Sequence, residues 1–186
     1  VVQIGDQVWF SENLRTTVYA NGDVIPAGLT DGEWISTNEG ATSVYGEGSS
    51  GCENYSPDID ACDEVQSLAE YGRLYIWHVV DDARGLCPVG WHVPTDEEWT
   101  DLEDFIAAQG FFSNPGAALK STYGWSEEYG GSGTDNFGFS ALPGGYRSSD
   151  GSFFDAGNAG YWWSSSPSGG NAWFRRLSSY FPGIGR

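Results

Sequence analysis

Reactive and basic side chains are scarce in this chain of 186 residues, which has two histidines, three cysteines, eight basic residues and no methionine. His78 and His92 each stand next to a tryptophan, a setting more typical of packed or hydrogen-bonded histidines than of catalytic ones. Hydrolases and transferases need a nucleophile with a base, or two carboxylates in one pocket. No such pattern is present, so the sequence predicts a protein that is not an enzyme.

The composition also limits the classes of partner. No stretch reaches the roughly 18 consecutive apolar residues that indicate a membrane-spanning helix, so no membrane insertion is predicted. Residues 1–143 carry 24 acidic and four basic side chains, a net charge of −20 that repels nucleic acid. Residues 144–186 carry two acidic and four basic side chains, a net charge of +2. This segment is therefore the predicted contact region, unless the acidity only serves solubility or a saline or extracellular setting.

An acidic, loop-like stretch holds two of the three cysteines. Cys52 and Cys62 are ten residues apart, and such a pair can close a small disulfide loop. None of the three cysteines has CxxC spacing or a histidine at ligand distance, which argues against zinc. Asp58, Asp60 and Asp63 supply the oxygen atoms that calcium prefers, but without EF-hand spacing. A solvated acidic loop is the simpler interpretation, calcium is the alternative, and no other cofactor is expected.

Several local patterns predict secondary structure. Residues 2–10 have two short strand patterns around Gly5-Asp6, which indicates a hairpin with a type II′ turn. Apolar residues at helical spacing predict a helix over residues 71–84. Residues 20–66 are rich in Gly, Asn, Ser and Asp and are predicted to form loops, and residues 88–94 an extended connector. From residue 111 onward the pattern predicts short strands and turns.

The strongest local signal is a second helix that begins at Thr95. Thr95 and Glu98 have the spacing of a capping box, in which each side chain bonds the other residue's backbone N–H. Gly110 is the predicted end of the helix. Its predicted apolar face consists of Trp99, Leu102, Phe105 and Ile106.

The last 43 residues are unusually aromatic. They contain ten of the 29 aromatic side chains, separated by Gly, Ser and Asn, without a helical period. Such a pattern builds a rigid, loop-rich core or an exposed contact surface, and we expect both at alternate positions. The tryptophans at 162, 163 and 173 are too large to be wholly exposed, so at least two are expected in the core. Arg147 and Arg175 are predicted to hydrogen-bond loop carbonyls as part of the scaffold.

Strand alternation separates scaffold from contact positions. Over residues 172–178 it places Trp173, Arg175 and Leu177 on one side and Phe174, Arg176 and Ser178 on the other, and we predict that the second side contacts ligand. The predicted ligand-binding set is Tyr146, Ser148, Asp150, Phe154, Asp155, Asn158, Tyr161, Asn171, Phe174, Arg176, Ser178, Ser179, Tyr180 and Phe181.

Five segments, at residues 4–16, 71–77, 85–99, 137–147 and 160–166, resemble in the same order the Fibrobacter succinogenes major paralogous domain family. That family is similar to C-type lectin-like and formylglycine-generating-enzyme-like domains. The resemblance implies a single α+β domain over residues 1–186 with a C-type lectin-like fold: two helices, a twisted antiparallel sheet and long loops. Formylglycine-generating chemistry needs a late cysteine pair, which is missing here. The family pattern continues beyond Arg186 into a strand with a cysteine, so without it Cys87 is expected to remain a thiol.

The resemblance also implies a mechanism of sequence variation, because members of the family serve as variable proteins of diversity-generating retroelements. Randomised adenines in Asn-type codons cannot produce Glu, Lys, Gln, Met or Trp. Residues 144–186 contain no Glu, Lys, Gln or Met, whereas residues 1–143 contain 12 Glu, 4 Gln and 1 Lys. The alternative is a glycine-rich and aromatic region that has no use for long polar side chains.

These observations together predict a ligand-binding, receptor-recognition domain. Residues 1–143 are the expected scaffold and residues 144–186 the expected variable region, displayed on a cell surface, on a virion or otherwise outside the cell. The expected ligand is a protein or another macromolecule, and nucleic acid is not expected. The alternatives are a structural or assembly module with a fixed aromatic face, or a calcium-dependent adhesin that binds glycans or peptides. A Glu-Pro-Asn or Gln-Pro-Asp sugar-binding motif is absent near residues 161–166.

Overall fold

The computed structural model describes residues 1–48, 51–169 and 171–186, without the side chains of Tyr129 and Asn171. Its α-helices are α1 (Asp31–Ser36), α2 (Glu64–Tyr71), α3 (Trp77–Val80), α4 (Asp96–Ile106) and α5 (Pro115–Leu119). A π-helical turn (Ala107–Phe111) extends α4, and a 3-10 turn covers Glu127–Tyr129. The strands are β1 (Val2–Ile4), β2 (Gln7–Trp9), β3 (Thr42–Ser43), β4 (Leu74–Tyr75), β5 (Gly144–Arg147), β6 (Phe153–Ala156), β7 (Ala159–Ser168), β8 (Asn171–Ser178) and β9 (Phe181–Gly185). None of the helices in these ranges is long and apolar enough to cross a membrane.

The C-terminal strands form the largest sheet, with the order β6-β5-β7-β8-β9. Every neighbouring pair is antiparallel except β5 and β7, which are parallel. The parallel pair arises because β6 folds back on β5 as a hairpin and β7 then returns along the other side of β5. The expected antiparallel sheet thus contains one parallel pair. Helices precede the mostly antiparallel sheet, and this arrangement confirms the α+β class.

The N-terminal hairpin forms as predicted. Strands β1 and β2 pair with Val2 opposite Trp9 and Ile4 opposite Gln7. A type II′ turn requires a positive φ at its first central residue and not at its second. Gly5 has a φ of 60° and Asp6 does not have a positive φ, so both residues meet this requirement. The buried Ile4 packs this hairpin against the main core.

Helix α4 also confirms its prediction. Thr95 Oγ1 accepts a hydrogen bond from Glu98 N at 3.1 Å, and a Glu98 carboxylate oxygen accepts one from Thr95 N at 2.7 Å. The helical path runs on through the π-helical turn until Gly110, whose φ is 98°. The main core cluster consists of Ile4, Trp99, Leu102, Ile106, Ala118, Leu119, Trp125, Phe139, Ala141 and Leu177.

The predicted helix over residues 71–84 is wrong. Helix α2 ends at Tyr71, and Gly72 adopts a φ of 73°, which interrupts any helix. The chain then forms β4, in which Leu74 pairs with Ser43 of β3. Only Trp77–Val80 is helical afterwards. Strand pairing over a long sequence separation has therefore overridden the local helical spacing.

Helices α1, α2 and α5 lie almost wholly in segments for which no helix was predicted, so the expectation of two helices is wrong for the described residues. Helix α1 begins with a second capping box between Thr30 and Glu33, which the composition of residues 20–66 conceals. Helix α5 begins at Pro115, whose fixed φ suits the first turn of a helix. Helix α5 lies against β9, where a side chain at Gly116 would collide with the carbonyl oxygen of Gly183.

The structure pairs two of the three cysteines. Cys52 and Cys62 form a disulfide with a Cα–Cα distance of 6.0 Å, whereas Cys87 is a free, partly buried thiol. Burial raises the pKa of Cys87 above that of an ordinary thiol. The disulfide loop borders the large sheet, because Cys52 forms an isolated β-bridge with Phe153.

We predict that Thr95→Ala lowers the free energy of unfolding by about 1 kcal/mol, because it removes the hydroxyl that caps α4. Urea unfolding followed by tryptophan fluorescence measures the change. Thr122→Ala is the control, since Thr122 is exposed and lies outside the helices; we expect a change below about 0.5 kcal/mol. Equal losses in the two variants would contradict a specific contribution of the capping box.

Candidate ligand-binding face

One side of the large sheet presents a row of aromatic side chains. Tyr146 and Phe174 are 38% and 36% exposed, whereas Phe153 and Leu177 on the opposite side are 0% and 2% exposed. Strand register aligns the row, because Tyr146 pairs with Phe154, Tyr161 with Arg176 and Trp163 with Phe174. We call the following set the aromatic face: Tyr146, Phe154, Tyr161, Trp163, Phe174 and Arg176.

The rings of the aromatic face contact one another from strand to strand. The centroid of Tyr146 lies 5.7 Å from that of Phe154 and 5.1 Å from that of Tyr161. Phe174 follows at 6.0 Å from Tyr161 and at 6.2 Å from Trp163. Edge-to-face and tilted pairs at these distances are favourable and limit the rotamers of each ring. The face is thus continuous over β6, β5, β7 and β8 and is ordered by its own contacts.

A hydrogen bond fixes the centre of the aromatic face. Tyr161 donates its hydroxyl proton to Asp155 Oδ2 at 2.6 Å. Burial is the larger cause, and the hydrogen bond to Asp155 the second, that raises the pKa of Tyr161, so the hydroxyl stays protonated at neutral pH. Asp155 itself has a φ of 68°, a left-handed conformation that is uncommon for residues other than glycine.

Arg176 is the basic residue of the aromatic face. Its guanidinium lies 5.6 Å from the ring centroid of Tyr161 and 5.8 Å from that of Tyr180. Within the part of the chain that the structure describes, its Nε is buried without a hydrogen-bond partner. A ligand that brings an acidic group to this position would satisfy both the charge and the donor.

Arg147 supports the face from below and confirms its predicted scaffold role. Its side chain is buried and donates hydrogen bonds to the carbonyls of Gly151 at 2.9 Å and Leu29 at 3.1 Å. It also forms an ion pair with Asp31 at 3.1 Å and stacks on Trp34 at 4.4 Å. The β5–β6 hairpin is thereby attached to the segment that begins α1.

Arg175 performs the same task for β8. Its Nε donates to Glu103 Oε1 at 2.6 Å and its Nη1 to Asp96 Oδ1 at 2.7 Å, and both partners lie on α4. A longer bond from Nη2 reaches the carbonyl oxygen of Asp96 at 3.3 Å. The carbonyl partner of Arg175 thus lies in a helix and not in a loop as predicted, and the stronger, charge-assisted bonds go to carboxylates.

The predicted ligand-binding residues divide into three groups. Ten are accessible: Tyr146, Asp150, Phe174, Tyr180 and Phe181 are exposed, and Ser148, Phe154, Asp155, Tyr161 and Arg176 are partly buried. Ser148 and Asp150 lie on the β5–β6 turn beside the aromatic face. The side chain of Asn171 falls outside the described residues.

The third group is buried, so the prediction that its side chains face a ligand is wrong. Asn158, Ser178 and Ser179 are 6%, 3% and 3% exposed. The turns before β7 and after β8 pack together here, and Asn158 O accepts a hydrogen bond from Ser179 N at 2.8 Å. Beneath them the buried Lys120 donates its Nζ protons to the carbonyls of Gly131 and Ser178.

Two tryptophans belong to this surface although they were not predicted to contact ligand. The expectation that at least two of Trp162, Trp163 and Trp173 lie in the core is wrong, because all three are only partly buried. Trp163 lies two residues after Tyr161 on the same strand, so alternation alone places both on one side. Its indole donates to the carbonyl oxygen of Tyr75 at 2.7 Å. Trp77 of α3 extends the surface, with its centroid 6.0 Å from that of Trp163. No local signal in the sequence indicates the contact of Trp77 with the sheet.

The three aspartates considered for calcium take separate structural roles. Asp58 accepts a hydrogen bond from Gly124 N, Asp60 from Cys62 N, and Asp63 caps α2 by accepting from Val65 N. Over the described ranges, no group of three His, Cys, Asp or Glu side chains is arranged to hold a metal ion.

The two histidines occupy different settings. His92 Nε2 lies 2.8 Å from Glu98 Oε1, as expected for a hydrogen-bonded histidine. His78 is exposed on α3 and not packed in the core. The Glu98 carboxylate also accepts the hydrogen bond from Thr95 N in the capping box of α4. The contact between His92 and Glu98 is therefore part of the N-terminal end of this helix.

The fold and the face together describe an α+β domain in which buried arginines hold a sheet with one aromatic side. The profile of the Fibrobacter succinogenes major domain matches residues 2–181, which is nearly the whole sequence. The chain therefore belongs to this family. Comparisons with curated proteins and with solved structures find no match.

We predict that the neighbouring arginines of β8 differ sharply in their contribution to stability. Arg175→Met leaves Asp96 and Glu103 without the Arg175 guanidinium and is expected to lower the free energy of unfolding by about 3 kcal/mol. Arg176→Met removes a charge that has no ion-pair partner among the described residues and is expected to change the free energy of unfolding by less than about 0.5 kcal/mol. Urea unfolding of both variants makes the comparison. Similar losses would contradict the separate roles of these side chains.

Proposed function

We propose that this protein is a ligand-binding, receptor-recognition domain whose contact surface is the aromatic face. The observation that carries the proposal is the continuous row of ordered, accessible rings across four strands. Exposed apolar patches of this kind are uncommon on isolated proteins and mark interaction sites. Since the rings are already fixed by their neighbours, little conformational entropy is lost when a partner covers them.

The chemistry of the face favours a macromolecular ligand with an acidic group. Tyrosine and phenylalanine supply contact area, and the serines and aspartates of the adjacent β5–β6 turn supply hydrogen bonds, as in antibody paratopes. Arg176 offers a guanidinium whose Nε has no hydrogen-bond partner in the described ranges of the chain. A protein or another macromolecule fits an extended surface, and the net charge of −18 makes nucleic acid an unsuitable partner.

We further propose that a diversity-generating retroelement varies this face, on a C-type lectin-like scaffold. Tyr146, Phe154, Asp155, Phe174 and Arg176 are all residue types that randomised Asn-type codons can produce. Trp163, which no such codon produces, is anchored to the backbone of Tyr75 and thus belongs to the support of the face. The arrangement of α4 beneath a mostly antiparallel sheet supports the scaffold assignment.

The place of action that we propose is outside the cell, on a cell surface or on a virion. The disulfide between Cys52 and Cys62 supports this proposal, because such bonds persist mainly in oxidising environments. An acidic body also suits an extracellular setting.

A fixed assembly surface is the second candidate function. The same exposed aromatic patch would serve for contact between copies or with a structural partner. The two candidates differ in sequence variation among related copies, because an assembly surface conserves its contacts whereas a diversified surface changes them.

The proposal predicts that binding depends on the aromatic face and not on exposed rings in general. A panel of extracellular proteins is tested by surface plasmon resonance against the wild type and the double variant Tyr146→Ser/Phe174→Ser. We expect a ligand whose affinity falls at least about 30-fold in this variant, as for truncated hot spots. The control Phe112→Ser/Tyr123→Ser removes rings that are 82% and 51% exposed elsewhere.

Equal affinities for wild type and face variant would contradict the proposal. Binding of the wild type only to itself, with loss in the face variant, would support the assembly alternative instead. Thermal unfolding of both double variants shows whether each is folded before binding is compared.

A further inference from the structure

A large apolar groove extends from part of the aromatic face toward the N-terminal hairpin. It is bordered by the N-terminal hairpin, by residues 71–80, by residues 86–94 and by β5 and β7, and its volume is about 1310 Å³. Its apolar lining includes Trp9, Leu14, Ile76, Trp91 and Trp162. This volume exceeds the range of about 300–1,000 Å³ that is usual for pockets of drug-sized ligands. The groove thus has room for a long apolar molecule.

Arg73 places an unpaired positive charge in this groove. In the described part of the chain, five of the seven arginines form ion pairs with carboxylates: Arg15, Arg84, Arg147, Arg175 and Arg186. Arg73 forms none, and its Nη1 is buried without a hydrogen-bond partner. Since an uncompensated charge at the edge of an apolar space costs free energy, a carboxylate placed there is stabilised.

The backbone fixes the position of Arg73. Its N–H donates to the carbonyl oxygen of Leu14 at 3.1 Å. The preceding Gly72 has a φ of 73° and packs against Asn13 and Leu14, where a larger residue would collide. Arg73 therefore enters the groove from a defined point between α2 and β4.

Three other charged side chains that line the groove have partners of their own, whereas Asp6 also lines it and Oε1 of Glu70, three residues before Arg73, is buried without a hydrogen-bond partner in the described part of the chain. Arg147, the second arginine that lines the groove, is bonded to carbonyls and to Asp31. Glu98 is engaged with His92 and with the capping box. Glu12 pairs with Arg15 at 2.7 Å. An anionic ligand would thus meet the guanidinium of Arg73 without displacing an existing ion pair.

We propose that the groove binds a straight-chain apolar carboxylate, such as a fatty acid. Its carboxylate pairs with Arg73, and its hydrocarbon chain lies along Leu14, Ile76 and the tryptophans of the groove. Two parallel N–H···O bonds from a guanidinium suit a carboxylate. Arg73 lies outside the contact surface proposed above, whereas Tyr146, Tyr161, Trp163 and Phe174 line the groove and belong to that surface as well.

The test is titration with dodecanoate below its micellar concentration, at an ionic strength of about 0.15 M, where distant charges are screened. Isothermal calorimetry gives the affinity, and tryptophan fluorescence reports entry, since Trp9, Trp91 and Trp162 line the groove. 1-Dodecanol, with the same chain and no charge, and dodecyltrimethylammonium are the comparison ligands. The protein variants are Arg73→Met and, as a matched control, Arg186→Met on an exposed arginine outside the groove.

We expect one saturable dodecanoate site per wild-type chain and an affinity at least tenfold lower in Arg73→Met. The affinity for dodecanol is expected to be the same in both, and Arg186→Met and Phe154→Ser are expected to bind dodecanoate like the wild type. Phe154 belongs to the aromatic face but does not line the groove, so this last variant separates the present proposal from that for the aromatic face.

Three binding results would overturn the proposal: no saturable binding of dodecanoate, equal affinity in wild type and Arg73→Met, or equal affinity of the wild type for dodecanoate and either comparison ligand. Arg73→Met without ligand is also expected to melt no lower than the wild type. A loss of several degrees would show that the guanidinium already has a structural role, and would equally overturn the proposal. Arg73→Lys, which keeps the charge, is expected to retain carboxylate binding.

Discussion

The attachment of Arg175 to helix α4 is the interaction on which the large sheet depends. Its guanidinium reaches Asp96 and Glu103 on one helix while its backbone lies in the fourth strand of the sheet. Because side chains alternate along a strand, this inward bond obliges the neighbouring Phe174 and Arg176 to point outward. Arg147 does the same at the other end, where its bonds inward leave Tyr146 on the outside.

Arg175 and Arg176 are adjacent in the sequence but have opposite roles, because their surroundings in the fold differ. Arg175 is charge-paired and buried, and its removal takes the guanidinium away from Glu103 and leaves Asp96 with Arg186 as its ion-pair partner. Arg176 lies between aromatic rings with an unsatisfied donor. Arg73 repeats the second pattern in the groove. Arginines beneath the sheet are thus neutralised by carboxylates, whereas Arg176 and Arg73 keep donors that a ligand can satisfy. This arrangement is expected where ligands supply the missing partners.

The sequence predicted those features whose causes are local. The capping box at Thr95, the turn at Gly5 and the alternation of Arg175 and Phe174 all follow from interactions within a few residues. Predictions failed where contacts with distant segments of the chain determine the local structure. Gly72 interrupts a plausible helical pattern because its neighbours pair with β3 and Leu14. Ser178 continues the outward alternation but is covered where the chain turns over Lys120. The position of Trp77 beside Trp163 depends on the whole fold, and no local pattern contains it.

The central claim is that a diversified surface stands on a constant scaffold, and the DNA beside the gene tests it most directly. Sequencing of the flanking region should reveal a near-copy of codons 144–186 next to a reverse transcriptase gene. We expect mismatches only at adenines of the copy, among the codons of Tyr146, Phe154, Tyr161, Phe174 and Arg176, with the tryptophan codons at 162, 163 and 173 unchanged. A flanking region without such a repeat would contradict diversification and leave the aromatic face as a fixed interface.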